Sequence, residues 1–301
     1  MVPGAPDGLA RRCRFPPPGA PLRCAVSGGA DSLALLVLAV EAGCEVTAVH
    51  VDHGLRPGSA AEADVVAAAA DRFGADVVCT RVEVPDGPNL EARARHARRE
   101  ALGPGAATGH TMDDQAETVL VNLLRGAGAD GLAGMRPGPA HPILALRRDE
   151  TRALCAARGL QPVEDPSNAD PRFVRNRVRH ELLPLASAIA GRDLVPVLAR
   201  QAGVLAAEAE LLDSLALEVD PADARSLGGA PVALARRAAR RWLRGRHQHP
   251  PELAAVERVL AVARGQLRAT DVAPGLRVRR SRGVLWSSPV DPTVSGSVTG
   301  R

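Results

Sequence analysis

An apolar run, Leu22–Val26, leads straight into Ser27-Gly28-Gly29-Ala30-Asp31-Ser32 and then into an Ala/Leu-rich helical stretch. That order of strand, glycine turn and helix restricts what the chain can become. Two glycines let the backbone turn tightly and come close to an anion. Ser27 and Ser32 add hydroxyl donors, and the helix start contributes unpaired amides and the positive end of its dipole. The turn therefore reads as a pyrophosphate-binding loop for ATP, formed by Ser27, Gly28, Gly29, Ala30, Asp31 and Ser32. A Walker-type phosphate loop is excluded, because its G-K-[ST] needs a lysine. The chain has none, and all 38 basic side chains are arginine. The plainer reading, a glycine turn with a Ser/Asp helix cap, does not account for the whole pattern.

Beyond this turn the chain keeps alternating. Strands are expected at Leu22–Val26, Cys44–Val51, Ala75–Val84, Ala106–Thr108 and Ile143–Leu146. Helices are expected at Asp31–Ala42, Ser59–Phe73, Leu90–Leu102 and Asp113–Leu124. Such alternation implies an α/β fold, a doubly wound parallel sheet whose ligands bind beyond the carboxyl ends of its strands. Residues 151–190 read as a helix, a loop at Glu164–Arg172 and a second short helix. Leu and Val recur at helical spacing from Leu194 to about Leu217, which reads as a bridging helix. Helices at Ala233–Arg244 and Glu252–Ala263 and a β-like stretch, Leu276–Trp286, suggest a small, mostly helical C-terminal domain. The expected organisation is a flexible segment at 1–21, a catalytic domain at 22–190, a bridge at 191–220, the small domain at 221–288 and a disordered tail at 289–301.

Composition narrows the setting. A length of 301 residues with 46% hydrophobic side chains suffices for two cores, although aromatics make up only 2% and tyrosine is absent. Lysine and tyrosine have AT-rich codons, so a GC-rich gene explains their loss together. The net charge is +4, but arginine and histidine are concentrated at 172–180 and 236–247. These clusters suit a polyanion, and they also suit simple solubility in a lysine-free chain. The five cysteines form no C-x-x-C pair, and no secretory or membrane-spanning run of about 18 apolar residues is present. A reducing cytoplasm and no membrane association are expected.

Two further segments carry chemistry. His50-Val51-Asp52-His53-Gly54-Leu55-Arg56-Pro57 follows the second strand, and its polar groups suit ribose, phosphate or a polar substrate. Gly109-His110 leads into Asp113-Asp114-Gln115-Ala116-Glu117-Thr118. On a helix Asp113 and Glu117 are four apart and Asp114 and Glu117 three apart, so the carboxylates share a face. Next to a triphosphate site they suggest Mg²⁺ held by Asp31, Asp113 and Asp114, although acidic first-turn residues also suit the helix dipole. Arg125-Gly126-Ala127-Gly128 and Gly131–Met135 read as a flexible, Gly-rich loop able to cover a site.

Together these motifs resemble the bacterial tRNA(Ile)-lysidine synthetases, in the N-type ATP pyrophosphatase (PP-loop) superfamily, from about Arg23 to Pro184. They run A-V-S-G-G-A-D-S, H-V-D-H-G-L-R-P, G-H-T-M-D-D-Q-A-E-T, L-L-R-G-A-G-A-D-G-L-A-G-M, E-D-P-S-N and R-F-V-R-N-R-V-R-H-E-L-L-P. The first is shared across the superfamily, whereas D-H-G-L-R-P, R-G-x-G-x-x-G-L-x-G-M and R-x-x-R-N-x-x-R are more particular. The resemblance implies an adenine-nucleotide α-hydrolase-like fold and a two-step ligase. ATP adenylates the wobble cytidine of the CAU-anticodon isoleucine tRNA, and the ε-amine of free L-lysine then displaces AMP. Many members dimerise, which extends the expectation to a homodimer.

The resemblance also assigns roles. Asp31, Asp52, His110, Asp113, Asp114 and Glu117 are the expected catalytic set, arranging metal, nucleotide and amine. Asp52, His53 and Arg56 match the motif near the reacting base and ATP, and Arg125 is placed to neutralise phosphate. Asn168, Arg172, Arg175, Asn176 and Arg179 match the RNA-facing segment, where arginine suits phosphate and base contacts. Arg236–Arg246 and Trp242 suit the tRNA body. The chain departs from the family pattern at Arg99, where a tyrosine is usual, and at His141-Pro142, where Arg-Pro is usual. Competing readings are a tRNA cytidine thiolase, which needs reactive cysteines, a small-molecule amide ligase, and a non-enzymatic RNA-binding protein.

Overall fold

The computed structural model describes residues 6–52, 59–82, 93, 97, 100–244 and 251–289. The chain divides into two compact units, Met1–Ala206 and Ala207–Arg301. The first is built on four parallel strands: β1 (Pro21–Ala25), β2 (Glu45–Asp52), β3 (Asp76–Arg81) and β4 (Ala107–Thr108), in the order β3-β2-β1-β4. Side chains alternate across the sheet. Leu22, Cys24, Val26, Val46 and Ala48 enter the main core, while Ala25 and Val49 form a second cluster with Leu102. Both faces are therefore covered, as a doubly wound sheet requires.

The helix Ala30–Glu41 lies at the centre of this unit. Its residues Leu33 to Ala39 are fully buried, which suits a stretch that is apolar on every side. The chain steps from β1 to β2 to β3 in one direction and then places β4 on the other side of β1. The crevice beyond the ends of β1 and β4 is thus the topological switch point of the sheet. The 27–29 turn and Gly109-His110 both open there.

Several expected elements take another form. Ile143–Leu146 is a turn rather than a strand, although Ile143 and Leu146 are fully buried. Pro142 has no amide to offer, and Leu146 N–H donates back to the Ile143 carbonyl at 2.9 Å. The apolar run thus serves the core without joining a ladder. Segment 1–21 is not a loose tail over its described part, because Leu9 and Cys13 are buried in the main core and Arg14 N–H donates to the Pro142 carbonyl. The helix expected at Leu90–Leu102 and the tail beyond Pro289 lie largely outside the described residues.

In the second unit, helices Val232–Arg244 and Leu253–Ala263 pack on a three-stranded antiparallel sheet, β5 (Ala269–Ala273), β6 (Leu276–Ser281) and β7 (Val284–Pro289). The single β-like stretch of the sequence is therefore two paired strands with a third beside them. The long helix spans Val195–Leu215, and the division between the units falls within it. Among the described residues no single helix is long and apolar enough to cross a membrane.

Gly109 shows how tightly the switch point is built. A Cβ placed on it would lie 2.7 Å from the Asp31 carbonyl oxygen and 3.0 Å from Ser32 Cα, backbone on both counts. Replacing Gly109 with Ala should cost about 1–3 kcal/mol, as overpacking of a close contact does. Urea unfolding measures it, and an unchanged midpoint would refute the packing argument.

Candidate active site

The loop after β1 keeps the form its glycines suggest. Gly28 has φ +85°, and its carbonyl accepts the Val163 amide at 2.9 Å, which ties the turn to the segment after Leu160. Ser32 has a role that the sequence pattern did not suggest. Its hydroxyl donates to the Gly29 carbonyl at 2.8 Å and accepts the Ser27 amide at 3.1 Å. Its single proton is thus used inside the loop, so Ser32 shapes the cradle rather than donating to an anion. Ser27 Oγ lies 3.3 Å from Ser32 Oγ. His50, fully inside the sheet, donates from Nδ1 to the Val26 carbonyl at 2.9 Å and fixes the exit of β1 just before the turn.

Asp31, in the first turn of its helix, faces the next layer. It accepts the Thr151 hydroxyl, and its Oδ2 lies 3.5 Å from Arg148 Nε. Burial pushes the Asp31 carboxyl above the usual range, against the opposing pull of Thr151 and Arg148.

The acidic helix is Met112–Leu124. Asp114 closes a capping box at its start, accepting the Thr111 amide and hydroxyl at 2.9 Å each. Its other oxygen accepts Arg148 Nη2 and Arg175 Nη2, both at 3.1 Å. Burial alone would raise the Asp114 pKa, but the Arg148 charge, the Thr111 amide and Arg175 outweigh it and hold the carboxyl below its ordinary value.

Glu117 has no solvent exposure and is met by three guanidinium groups. Arg148 donates to Oε1 at 3.1 and 3.2 Å, Arg175 Nε to Oε2 at 2.8 Å, and Arg179 to both oxygens at 2.6 and 3.1 Å. Arg175 and Arg179 are four residues apart and reach the same carboxylate. Asp113 points elsewhere. It takes both arms of Arg147, at 3.1 and 3.2 Å, and the Arg148 amide at 2.9 Å.

This geometry bears on two expectations. Asp113 and Asp114 do not fit a magnesium site with Asp31: their oxygens are committed to arginines and backbone amides. Among the described residues no group of three metal-binding side chains comes together. Arg175 and Arg179 are ion-paired with Glu117, although Arg175 keeps 40% of its side chain exposed. Asn176 is buried and donates to the Asp170 carbonyl at 2.9 Å. Of that expected set Asn168 and Arg172 are exposed, and Arg172 is paired with Asp170.

The remaining expected residues are more scattered. His110, after β4, has Nδ1 2.7 Å from the Thr108 hydroxyl, and His141 Nδ1 lies 2.8 Å from the same oxygen. The hydroxyl carries one proton, so at least one imidazole presents Nδ1–H to it. Burial lowers the His141 pKa. Arg125 is exposed at the end of the acidic helix, Asp52 ends β2, and His53 and Arg56 lie outside the described residues. The Gly-rich segment after Arg125 is not loose. Gln115 exchanges hydrogen bonds with Met135 at 2.8 and 3.0 Å, and Asn122 donates to the Gly131 carbonyl at 2.7 Å.

A PP-loop domain family model matches residues 16–186. The chain is 43% identical over 284 residues to the tRNA(Ile)-lysidine synthase of Nocardia farcinica, covering 87% of this chain and 89% of that one. It is 43% identical over 314 residues to the synthase of Salinispora tropica, covering 92% of each. The chain belongs to the tRNA(Ile)-lysidine synthase family. Among solved structures it is similar to the U34-tRNA thiolase NcsA from Methanococcus maripaludis, at a TM-score of 0.48 and 17% identity, over 67% of this chain and 75% of that one.

Set in a lysidine synthase, the buried cysteines Cys13, Cys24 and Cys155 have a structural role. Burial pushes the Cys13 and Cys155 thiols up to about 11 and Cys24 up to about 12, which keeps them protonated. The sequence reading missed Arg147, Arg148 and Thr151, because no motif marks them. Their only signal is L-R-R-D-E-T beginning a helix immediately after a buried apolar turn.

Two outcomes follow for this cluster. Replacing Glu117 with Gln leaves three guanidinium groups without their shared anion and should lower stability by roughly 3–5 kcal/mol. An unfolding free energy within error of wild type would disprove that. The Asp114 pKa is depressed in the fold, so its contribution is complete above the unfolded value and is lost as pH falls through the folded one. Acid unfolding of Asp114→Asn should therefore show a shallower pH dependence than wild type.

Proposed function

We propose that the chain joins free L-lysine to the wobble cytidine of the CAU-anticodon isoleucine tRNA at the expense of ATP. The observation that carries this reading is the meeting of two sites at one switch point. The pyrophosphate loop and the acidic helix open onto the same crevice, and Arg148 bonds to carboxylates of both.

The chemistry runs in two steps. The cytosine 2-carbonyl oxygen attacks the α-phosphorus of ATP, and pyrophosphate leaves toward the loop after β1. The amides of that loop and the arginines beside it meet the charge that develops on the phosphate oxygens. The neutral ε-amine of lysine then forms a bond to C2, AMP departs with the oxygen, and the product is lysidine. Lysine enters as an ammonium, so it must lose a proton before attack. His110 and the carboxylates of the acidic helix are the proposed acceptors of that proton. Asp31 is the carboxylate that would hold a magnesium ion brought by the nucleotide, and the ion would supply charge neutralisation on the phosphates.

For tRNA, the exposed Arg125, Asn168 and Arg172 are the proposed contacts in the first unit. In the second, Arg236 is exposed and paired with Glu257 on a helix whose opposite face is buried through Ala235, Ala238, Ala239 and Leu243, whereas Arg237 is largely covered and paired with Asp213. This arginine face is the proposed grip on the tRNA body.

Incubation with CAU-anticodon isoleucine tRNA, ATP, Mg²⁺ and labelled lysine tests the proposal. Label should enter the tRNA with one AMP formed per lysine, and no incorporation by folded protein sinks the reading. Asp31→Asn should lower incorporation at least about a hundredfold while leaving tRNA retention on a filter unchanged. Its melting temperature should not fall, because burial already disfavours the Asp31 charge.

A further inference from the structure

Arg148 touches both halves of the crevice. Its guanidinium lies 3.5 Å from Asp31 on the loop side and 3.1 Å from both Asp114 and Glu117 on the acidic helix. Charge is balanced around it: Asp31, Asp114 and Glu117 face Arg148, Arg175 and Arg179. An ammonium ion added beside this set would be a buried cation without a counter-charge, which is strongly unfavourable. The carboxylates best suited to a cationic amine are therefore filled by the protein's own cation.

The three arginines are not equally committed. Were Arg148 to leave, Glu117 would keep Arg175 and Arg179, and Asp114 would keep the Thr111 amide and hydroxyl. No carboxylate would be orphaned. The contact to Asp31, at 3.5 Å, is also the longest that Arg148 makes to a carboxylate, so Arg148 is held least tightly at the edge nearest the pyrophosphate loop. A triphosphate on that loop brings several negative charges to this edge, and a guanidinium pairs readily with phosphate oxygens.

We propose that Arg148 is a positioning residue that couples occupancy of the pyrophosphate loop to acceptance of the cationic amine. With the loop occupied, Arg148 turns to the phosphates and vacates the position between Asp114 and Glu117. The lysine ammonium then takes that position. This inference rests on the lysidine reading and adds an order to it, nucleotide before lysine.

Equilibrium dialysis of labelled lysine against wild-type protein, with and without α,β-methylene ATP and Mg²⁺, tests it. Lysine affinity should rise about tenfold or more with the analogue, and lysine should tighten the analogue by the same factor. In Arg148→Met the factor should collapse toward one. A purely structural Arg148 would weaken both ligands and leave their mutual factor intact, and that result overturns the proposal. Equal lysine affinity with and without the analogue in wild type overturns it too, and needs no variant to fold. No lysine binding in the presence of the analogue likewise overturns it, even where the tRNA-labelling assay succeeds. Failure of the labelling assay itself is the separate sign that the lysidine reading is wrong.

Discussion

A fully buried carboxylate, Glu117, organises the site. An isolated charge in that position would be prohibitively costly, so the surroundings must supply cations and hydrogen bonds together. Three arginines from two separate segments do so. Arg148 begins the helix Arg148–Ala157, while Arg175 and Arg179 lie on the Val174–Leu182 stretch. One carboxylate therefore fixes the approach of both segments to the acidic helix. It also explains why two arginines of a stretch that reads as a nucleic-acid surface, Arg175 and Arg179, pair with the acidic helix, while Arg172 and Arg177 stay exposed.

The sheet order gives this cluster its chemical setting. Reversal of the winding order at β1, with β2 on one side and β4 on the other, leaves a crevice at the carboxyl ends of β1 and β4, and the close fit of Gly109 against Asp31 keeps the two loops together. Phosphate-binding amides, an aspartate raised by burial, a histidine pair on one threonine and an arginine-saturated acidic helix all follow from that placement. The acidic helix is held as firmly as the loop, through the Thr111–Asp114 cap at its start and Gln115 and Asn122 along it. A segment whose glycines suggest looseness is in this way made part of the wall.

The legible features were those whose physics is local. Strand, turn and helix around Ser27–Ser32 follow from glycine conformation and helix-terminal amides. The helix Ser59–Phe73 has the bounds that its pattern implies, and Ala30–Glu41 and Met112–Leu124 differ by a residue or so. Ile143–Leu146 failed because an apolar run of that length suits a buried turn as well as a strand, and only hydrogen bonding decides between them. The arginine pairing of the acidic helix was illegible for a similar reason. Spacing places Asp113, Asp114 and Glu117 near one another, but it does not say which cations come from elsewhere in the chain.

By itself the sequence determined the class of fold, the anion-binding turn, the lysine-free composition that rules out a Walker loop, and the motifs that place the chain in its family. Each depends on residues adjacent in the chain or one helical turn apart. The tertiary structure decided what the charged residues do. Glu117 and Arg179 are 62 residues apart, and Asp31 and Thr151 are 120 apart. Such pairings arise only when the sheet order closes the chain, because a charge is neutralised by whatever folding brings beside it.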